Sequence, residues 1–230
     1  MQKRKITIVL LLFAVLGPAC FRMQAQEDYR FDAGGGLGMT GYLGDANMSN
    51  LWSNPGFDAM LLFRYLRSPR IAFKTGLYIG SLSGNTADMT DVLPDQAQFK
   101  FSTTFYELSE MFEFNFLNYG IGEKYRNLKR FSPYITAGLG VTMWTSDGYL
   151  GAAFTIPLGV GAKFKINRRL NLGLEFLMKK TFSDRLDGEN LSDPHLIKSG
   201  FAKNTDWYST LSLTLSYEFS KRCATCNYKE

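Results

Sequence analysis

Apolar and polar residues alternate one by one through most of the chain, and this alternation limits the possible folds more than any other feature. In the clearest segment, Leu211, Leu213 and Leu215 alternate with Ser212 and Thr214. A period of two is that of a β-strand with one apolar face and one polar face. The pattern recurs in eight segments: 29–42, 56–66, 71–82, 101–118, 133–145, 153–166, 169–182 and 206–219.

Such alternation fits a soluble sandwich with an apolar interior or a membrane barrel with an apolar exterior, and three observations favour the barrel. The segments run about 10–15 residues, whereas a tilted transmembrane strand needs roughly 9–11. Their number is even, as in bacterial outer-membrane barrels. Aromatic residues lie near segment ends, where the girdles at the two membrane interfaces would be: Tyr29, Tyr42, Tyr65, Trp144, Trp207 and Phe219. We therefore predict an all-β fold, an eight-stranded antiparallel up-and-down transmembrane β-barrel with a filled lumen.

The N-terminus has the pattern of a secretory signal peptide. A basic stretch, Lys3–Lys5, precedes an apolar run at 6–16 that is too short to span a membrane, and Ala25 ends a small-residue cleavage site. The alternative is a lipoprotein acylated at Cys20, although the preceding leucine is one residue too distant for the usual lipobox. The predicted division of the chain is a signal peptide at 1–25, the barrel at 26–219 and a periplasmic tail at 220–230.

The charge balance gives no reason to expect a nucleic-acid partner. The chain has 26 basic and 21 acidic residues, for a net charge of +5. Residues 1–25 hold four of the bases and none of the acids, which leaves 22 bases against 21 acids, or +1, in the exported part. A nearly neutral chain lacks the electrostatic footprint of nucleic-acid binding.

The connections between segments alternate broadly between long and short, which predicts an orientation. In outer-membrane barrels the short turns face the periplasm and the long loops face outward. We assign 43–55, 84–100, 146–152 and 183–205 to the outside, and 67–70, 119–132 and 167–168 to the periplasm. Two lengths depart from the rule, because 146–152 is modest for an outer loop and 119–132 is long for an inner turn.

Charged residues on the polar faces point into the lumen, which predicts ion pairing there. An eight-stranded barrel is only wide enough to be filled by side chains, and an unpaired buried charge is strongly unfavourable. Inward glycines on the first, fifth and sixth segments leave room for long side chains. Six acids meet six bases: Asp32, Asp58, Glu107, Glu113, Glu175 and Glu218 with Arg30, Arg64, Lys74, Lys163, Lys165 and Lys179.

Two charges, Glu110 and Lys180, fall on faces that we assign to lipid. Lys180 lies close to the outer end of its segment, so the membrane interface accounts for it. Glu110 lies near the middle of its segment. A strand bulge, an interfacial position or a covering protein partner would each explain it.

Few residues have the pattern of a reactive site. Cys223 and Cys226, spaced C-x2-C near the C-terminus, fit a structural disulfide or a partner anchor better than a redox site or half of a metal site. His195 is the sole histidine and lies in the connection 183–205, and no G-x-S-x-G serine motif occurs. We therefore predict no catalytic, cofactor-binding or metal site and no small-molecule substrate.

The connection 119–132 is strongly basic. It contains Lys124, Arg126, Lys129 and Arg130, and the tail at 220–230 adds further bases. One explanation is solubility. The other is that these residues dock a periplasmic partner with an acidic face.

Several stretches resemble the PorG family, an outer-membrane barrel of the type IX secretion system of Bacteroidetes. They are Tyr106-Glu107 with EFNF at 113–116, FSPYITAGLG at 131–140, IPLGVG at 156–161, RLNLGLE at 169–175, DWY at 206–208 and the terminal cysteine pair. The resemblance covers most of 106–226, whereas 29–100 is generic barrel sequence.

The resemblance implies a structural role in protein export across the outer membrane, and it implies no catalytic residues. It also implies a periplasmic partner, the ring built from a lipoprotein and its companion. The competing hypotheses are a stand-alone outer-membrane barrel for adhesion or envelope integrity, acting through its outer loops, and a barrel enzyme. The enzyme would need a nucleophile and a base that converge, and the sequence offers one histidine in a loop.

Overall fold

Eight antiparallel strands close into a barrel in the computed structural model, which describes residues 29–43, 55–85, 100–121, 127–146, 149–182 and 207–221. Each strand pairs with the next along the chain, and the last pairs with the first. The strands are β1 (Tyr29–Leu43), β2 (Gly56–Leu66), β3 (Ile71–Asn85), β4 (Lys100–Asn115), β5 (Phe131–Ser146), β6 (Tyr149–Lys165), β7 (Leu170–Thr181) and β8 (Trp207–Lys221). The predicted fold class is confirmed.

The two connections of unexpected length differ from the sequence-based boundaries. Strands β5 and β6 extend to Ser146 and Tyr149, so the connection predicted at 146–152 shrinks to residues 147–148. Strand β4 ends at Asn115, three residues earlier than predicted, so the next connection runs over 116–130. Within the described residues, no helix is long and apolar enough to cross a membrane.

The strands are strongly tilted, as the register shows. A row of paired residues that starts at Phe31 passes through Tyr65, Phe73, Phe112, Ala137, Leu158, Met178 and Ser209, and it returns to β1 at Gly41, ten residues further along. The shear of the barrel is therefore ten. Strand number and shear together set the radius, and eight strands enclose a space that side chains can fill.

The outer surface of the barrel is apolar. Leu37, Phe57 and Leu139 are 72%, 75% and 62% exposed, and large apolar side chains cover the outward positions of every strand. We call the end of the barrel that carries the connections 67–70, 116–130 and 166–169 the short-turn end. Aromatic rings cluster on the outer surface near this end, where the centroid of the Phe31 ring lies 5.5 Å from that of Phe63 and 5.9 Å from that of Phe219. An apolar belt with aromatic rings at its edge is the surface of a transmembrane barrel.

The inner surface has a charged layer and an apolar layer. Charged side chains concentrate where the strands meet the short turns, whereas apolar side chains fill the middle and the end at the long connections. Trp144, predicted to lie in a girdle, is 4% exposed and belongs to this apolar layer, because its even position on β5 points inward. The apolar layer consists of Met60, Leu62, Tyr78, Leu82, Phe105, Met111, Trp144, Leu177 and Tyr208.

Inward glycines make the dense filling possible. A Cβ on Gly161 would lie 2.6 Å from the Tyr134 hydroxyl, and a Cβ on Gly159 would lie 2.6 Å from Leu177 Cδ2. Both distances are too short for real carbon contacts, so only glycine leaves space for these side chains.

We predict that Gly161→Ala lowers the free energy of unfolding by about 1–3 kcal/mol, because the new methyl group overpacks the lumen against Tyr134. Urea unfolding of the barrel in lipid vesicles measures this change. The control is Gly35→Ala, whose Cβ would lie no closer than 3.2 Å to any atom. Equal losses in the two variants would contradict the packing explanation.

Candidate functional site

A network of ion pairs lies at the centre of the charged layer. The guanidinium of Arg64 on β2 donates from Nη1 to Asp32 and from Nε to Glu113, each at 3.0 Å. Glu113 on β4 also meets Lys163 at 2.6 Å and Lys74 at 3.5 Å. One carboxylate thus joins cations from three strands, and it is fully buried.

The network extends to β7 through Lys74, whose ammonium pairs with Glu175. The Tyr134 hydroxyl donates to the same carboxylate at 2.7 Å. Three cations and three carboxylates, Arg64, Lys74 and Lys163 with Asp32, Glu113 and Glu175, therefore make a neutral cluster that connects six strands.

Two separate ion pairs flank this cluster. Lys165 pairs with Glu218 beside the short turns, and the Asn171 amide donates to that carboxylate at 3.0 Å. Lys179 pairs with Glu107 at 2.8 Å nearer the long connections. The Lys179 ammonium also lies 3.6 Å from the centre of the Tyr78 ring.

Two residues predicted for the lumen network do not join it. Asp58 points inward but forms no ion pair with any described residue, and it accepts a hydrogen bond from the Ser212 hydroxyl at 3.1 Å. Arg30 is exposed and is the second residue of β1. It lies opposite Ser220 on β8, whose positive φ of 60° interrupts the regular pairing of the two strands. The described lumen therefore holds six acids and five bases, rather than six of each.

The ion pairs fill part of the lumen and connect its strands. Each carboxylate in the network is held by a cation from another strand, and the pair Lys74–Glu175 connects β3 with β7 on the opposite wall. No cluster of His, Cys, Asp and Glu suited to a metal ion occurs in the described ranges. The arrangement supports a rigid, plugged barrel.

We predict that Lys179→Met lowers the free energy of unfolding by about 3–5 kcal/mol, because Glu107 then stays buried without its cation. Adding Glu107→Gln should recover much of this loss, since the double variant leaves no unpaired charge. The matched control is Lys180→Met on the outer face, where only a contact with the Trp207 ring at 5.4 Å is lost. Urea unfolding in lipid vesicles gives all three values, and equal effects at the two lysines would refute the prediction.

The described parts of the connection 116–130 place Tyr119 at the short-turn end of the lumen. Tyr119 forms an isolated bridge with Lys129, and its hydroxyl donates to Asn171 at 2.8 Å. The Lys165 ammonium lies 5.1 Å from the centre of the Tyr119 ring. Burial raises the pKa of Tyr119 far above its ordinary value, so the hydroxyl stays protonated. Tyr119 therefore packs over the charged layer at this end of the lumen.

The predicted docking residues are only partly described. Lys129 and Arg130 are exposed at the short-turn end, and Arg130 is anchored through its carbonyl, which accepts from the Lys165 amide at 2.7 Å. Lys124, Arg126, Cys223 and Cys226 lie outside the described residues.

Barrel closure brings further cations to the same end, which sequence reasoning missed. The turns 67–70 and 166–169 place arginines at the same end of the barrel as Lys129 and Arg130. These two turns and the described parts of the connection 116–130 contain no acidic residue. The Arg70 guanidinium donates to Asn118 at 2.7 Å, which joins two of the turns. We call this surface the basic rim, and it comprises Arg30, Arg67, Arg70, Lys129, Arg130, Arg168 and Arg169.

Arg169 is the most firmly held member of the basic rim. Its guanidinium donates to the hydroxyls of Tyr29 at 3.0 Å and Tyr217 at 2.7 Å. These hydrogen bonds raise the pKa of Arg169 above its ordinary value, and the bond to Tyr217 has the larger effect. The side chain ties β1 and β8 together while its charge stays at the surface.

The two outward charges take different environments. Lys180 lies one residue from the end of β7 and rests against the Trp207 ring, as expected for an interfacial lysine. Glu110 lies within β4, in unbroken register with Thr75 and Leu139 on either side. The bulge considered from the sequence is therefore absent at Glu110.

Residues 4–228 match the family described as Domain of unknown function (DUF6089), so the chain belongs to that family. Among curated proteins, none matches significantly. The chain is similar in structure to Neisserial surface protein A, with a TM-score of 0.53 and 11% identity over 82% of this chain and 97% of that one. This likeness shows a shared fold.

Two further barrels are similar at lower scores. They are Ail, the attachment invasion locus protein of Yersinia pestis (TM-score 0.49, 10% identity, 84% of this chain and 100% of that one), and the outer membrane protein OprG from Pseudomonas aeruginosa (TM-score 0.46, 10% identity, 86% and 99%).

Proposed function

We propose that this chain is a non-enzymatic outer-membrane component of the type IX secretion apparatus, and that its basic rim docks a periplasmic ring complex. The secretion role draws on the resemblance of 106–226 to the PorG family. The docking surface draws on the clustering of cations at one end of the barrel. That clustering is the observation that carries the proposal.

A location in the outer membrane is supported by the apolar belt and the filled lumen. Closed β-barrels are the strand-based structures that span membranes, because closure satisfies every backbone hydrogen bond. The tight turns 67–70 and 166–169 lie at the end where β1 begins, and the long connections 44–55, 86–99 and 182–206 lie at the other end. In outer-membrane barrels the tight turns are periplasmic, although the connections 116–130 and 147–148 depart from this pattern of lengths. The basic rim then faces the periplasm.

A docking role for the basic rim follows from its charge. Arg70, Lys129, Arg130, Arg168 and Arg169 are exposed, and no acid lies in the described parts of the turns, although Glu123 lies in the part that is not described. A one-signed surface attracts a partner of opposite sign and excludes partners of the same sign. An acidic face on the periplasmic ring would be electrostatically complementary to the basic rim.

The alternative is a stand-alone barrel for adhesion or envelope integrity. The fold shared with Neisserial surface protein A favours it, as do the long connections 44–55, 86–99 and 182–206 at the opposite end. The two functions use opposite ends of the barrel, so charge changes at each end distinguish them.

We predict that Lys129→Glu with Arg130→Glu lowers recovery of periplasmic ring proteins by about tenfold, because attraction becomes repulsion. The measurement is an affinity pull-down from detergent-solubilised outer membrane, with quantitative mass spectrometry. The control is Lys198→Glu with Lys203→Glu, in the connection at the other end. Recovery by the intact chain should also fall with added salt.

If the intact chain is recovered without ring proteins, the stand-alone barrel is the better account. If ring proteins are recovered equally with all variants, the basic rim is not the docking surface.

Cys223 and Cys226 are tested in the same assay. If the tail is a second anchor, Cys223→Ser with Cys226→Ser lowers recovery of the ring while the barrel remains folded. Undiminished recovery would remove the cysteine pair from the docking proposal.

A further inference from the structure

Glu110 is a carboxylate in the middle of the lipid-facing belt. It lies five residues before the end of β4, and its neighbours on the same outer face are apolar: Leu108 and Phe112 on β4, and Leu139 on β5. On β3 the paired outward residue is Thr75, and the outward residues on either side of it, Phe73 and Leu77, are apolar.

The side chain of Glu110 is only partly satisfied within the barrel. The Thr75 hydroxyl donates to Oε2 at 2.6 Å, and no other described residue donates to this carboxyl group. Pairing is regular on both sides, so Glu110 is held on the outer face by the strand geometry.

A lipid environment disfavours such a residue. Ionisable side chains within membrane spans are rare and normally meet a partner group, because hydrocarbon offers no hydrogen bonds. In the outer-membrane barrel, replacing Glu110 with leucine would remove this penalty without any loss of packing. A carboxylate at this position therefore points to a partner.

A second copy of this chain is a poor partner for Glu110. If two copies met symmetrically through this face, the two carboxylates would face each other and repel. A head-to-tail contact through an ion pair would need an outward cation at the same depth. The described strand cations that are not buried, Arg30 on β1 and Lys180 on β7, lie near strand ends.

We propose that the outer face of β3–β5 around Glu110 binds the membrane-embedded segment of a different outer-membrane protein, which presents a cationic or hydrogen-bond-donating side chain to this carboxylate. The surface is distinct from the basic rim. It lies in the membrane, whereas the basic rim lies at the end of the barrel, so the two interactions are lost independently.

Site-specific photo-crosslinking in the native cell tests the proposal. The probe is p-benzoylphenylalanine in place of Leu139, which pairs with Glu110 and is 62% exposed. The control probe replaces Leu213 on the opposite wall, which is 55% exposed. We expect a discrete protein adduct from position 139 only, mapped by mass spectrometry to a membrane-embedded segment with a donor side chain.

The carboxylate is tested by Glu110→Leu in the position 139 probe strain. Loss of one membrane hydrogen bond or ion pair lowers the adduct yield by about five- to thirtyfold. Thr75→Val, which keeps the carboxylate, leaves the yield within about twofold. Leucine suits lipid, so folding should persist, and the heat-dependent gel shift of intact barrels checks it for each variant.

Four outcomes would overturn the proposal. They are adducts of the same pattern from positions 139 and 213, lipid adducts alone, an adduct with a second copy of this chain, and a yield that Glu110→Leu does not change. None of them bears on the basic rim, whose partner is measured separately.

Discussion

The pairing of buried charges is the constraint on which this structure depends. Eight strands enclose a narrow lumen, and alternation places both acids and bases inside it. A charge buried there without a partner is strongly unfavourable. Arg64 links Asp32 on β1 to Glu113 on β4, and Lys74 links Glu113 to Glu175 on β7, so the interactions that neutralise the charges also tie separate strands together.

The filled interior leaves only the outside and the ends for function. Tyr119 closes the lumen at the short-turn end, and Phe105 with Trp144 fills it towards the other end. The surfaces open to a partner are the basic rim, the long connections and the lipid-facing wall. A rigid support that engages other proteins through these surfaces agrees with the physical character of the barrel better than a channel does.

The alternation, together with the number and length of the segments and the placement of aromatic residues, was enough to predict the fold and the inward direction of nearly every lumen charge. It could not show which charges pair, because Glu113 meets Arg64, Lys74 and Lys163 only after closure and shear bring three strands around it. The alternation also fails to predict the direction of side chains at strand ends, since Arg30 was expected to point inward and is exposed. The apolar layer around Met60 and Leu177 was not predicted. The alternation indicates which face of a strand a residue lies on, and it does not indicate how inward side chains pack against one another.

A spin-label scan along β8 in lipid vesicles tests the inside-out arrangement most directly. Labels at Leu213 and Leu215 should be reached by oxygen dissolved in the bilayer and shielded from a water-soluble nickel reagent, whereas labels at Ser212, Thr214 and Ser216 should be shielded from both. We therefore predict that the accessibility of the labels to oxygen alternates from one residue to the next along β8. If the nickel reagent reached Leu213 and Leu215, the apolar face would lie in water, and the transmembrane account would be wrong.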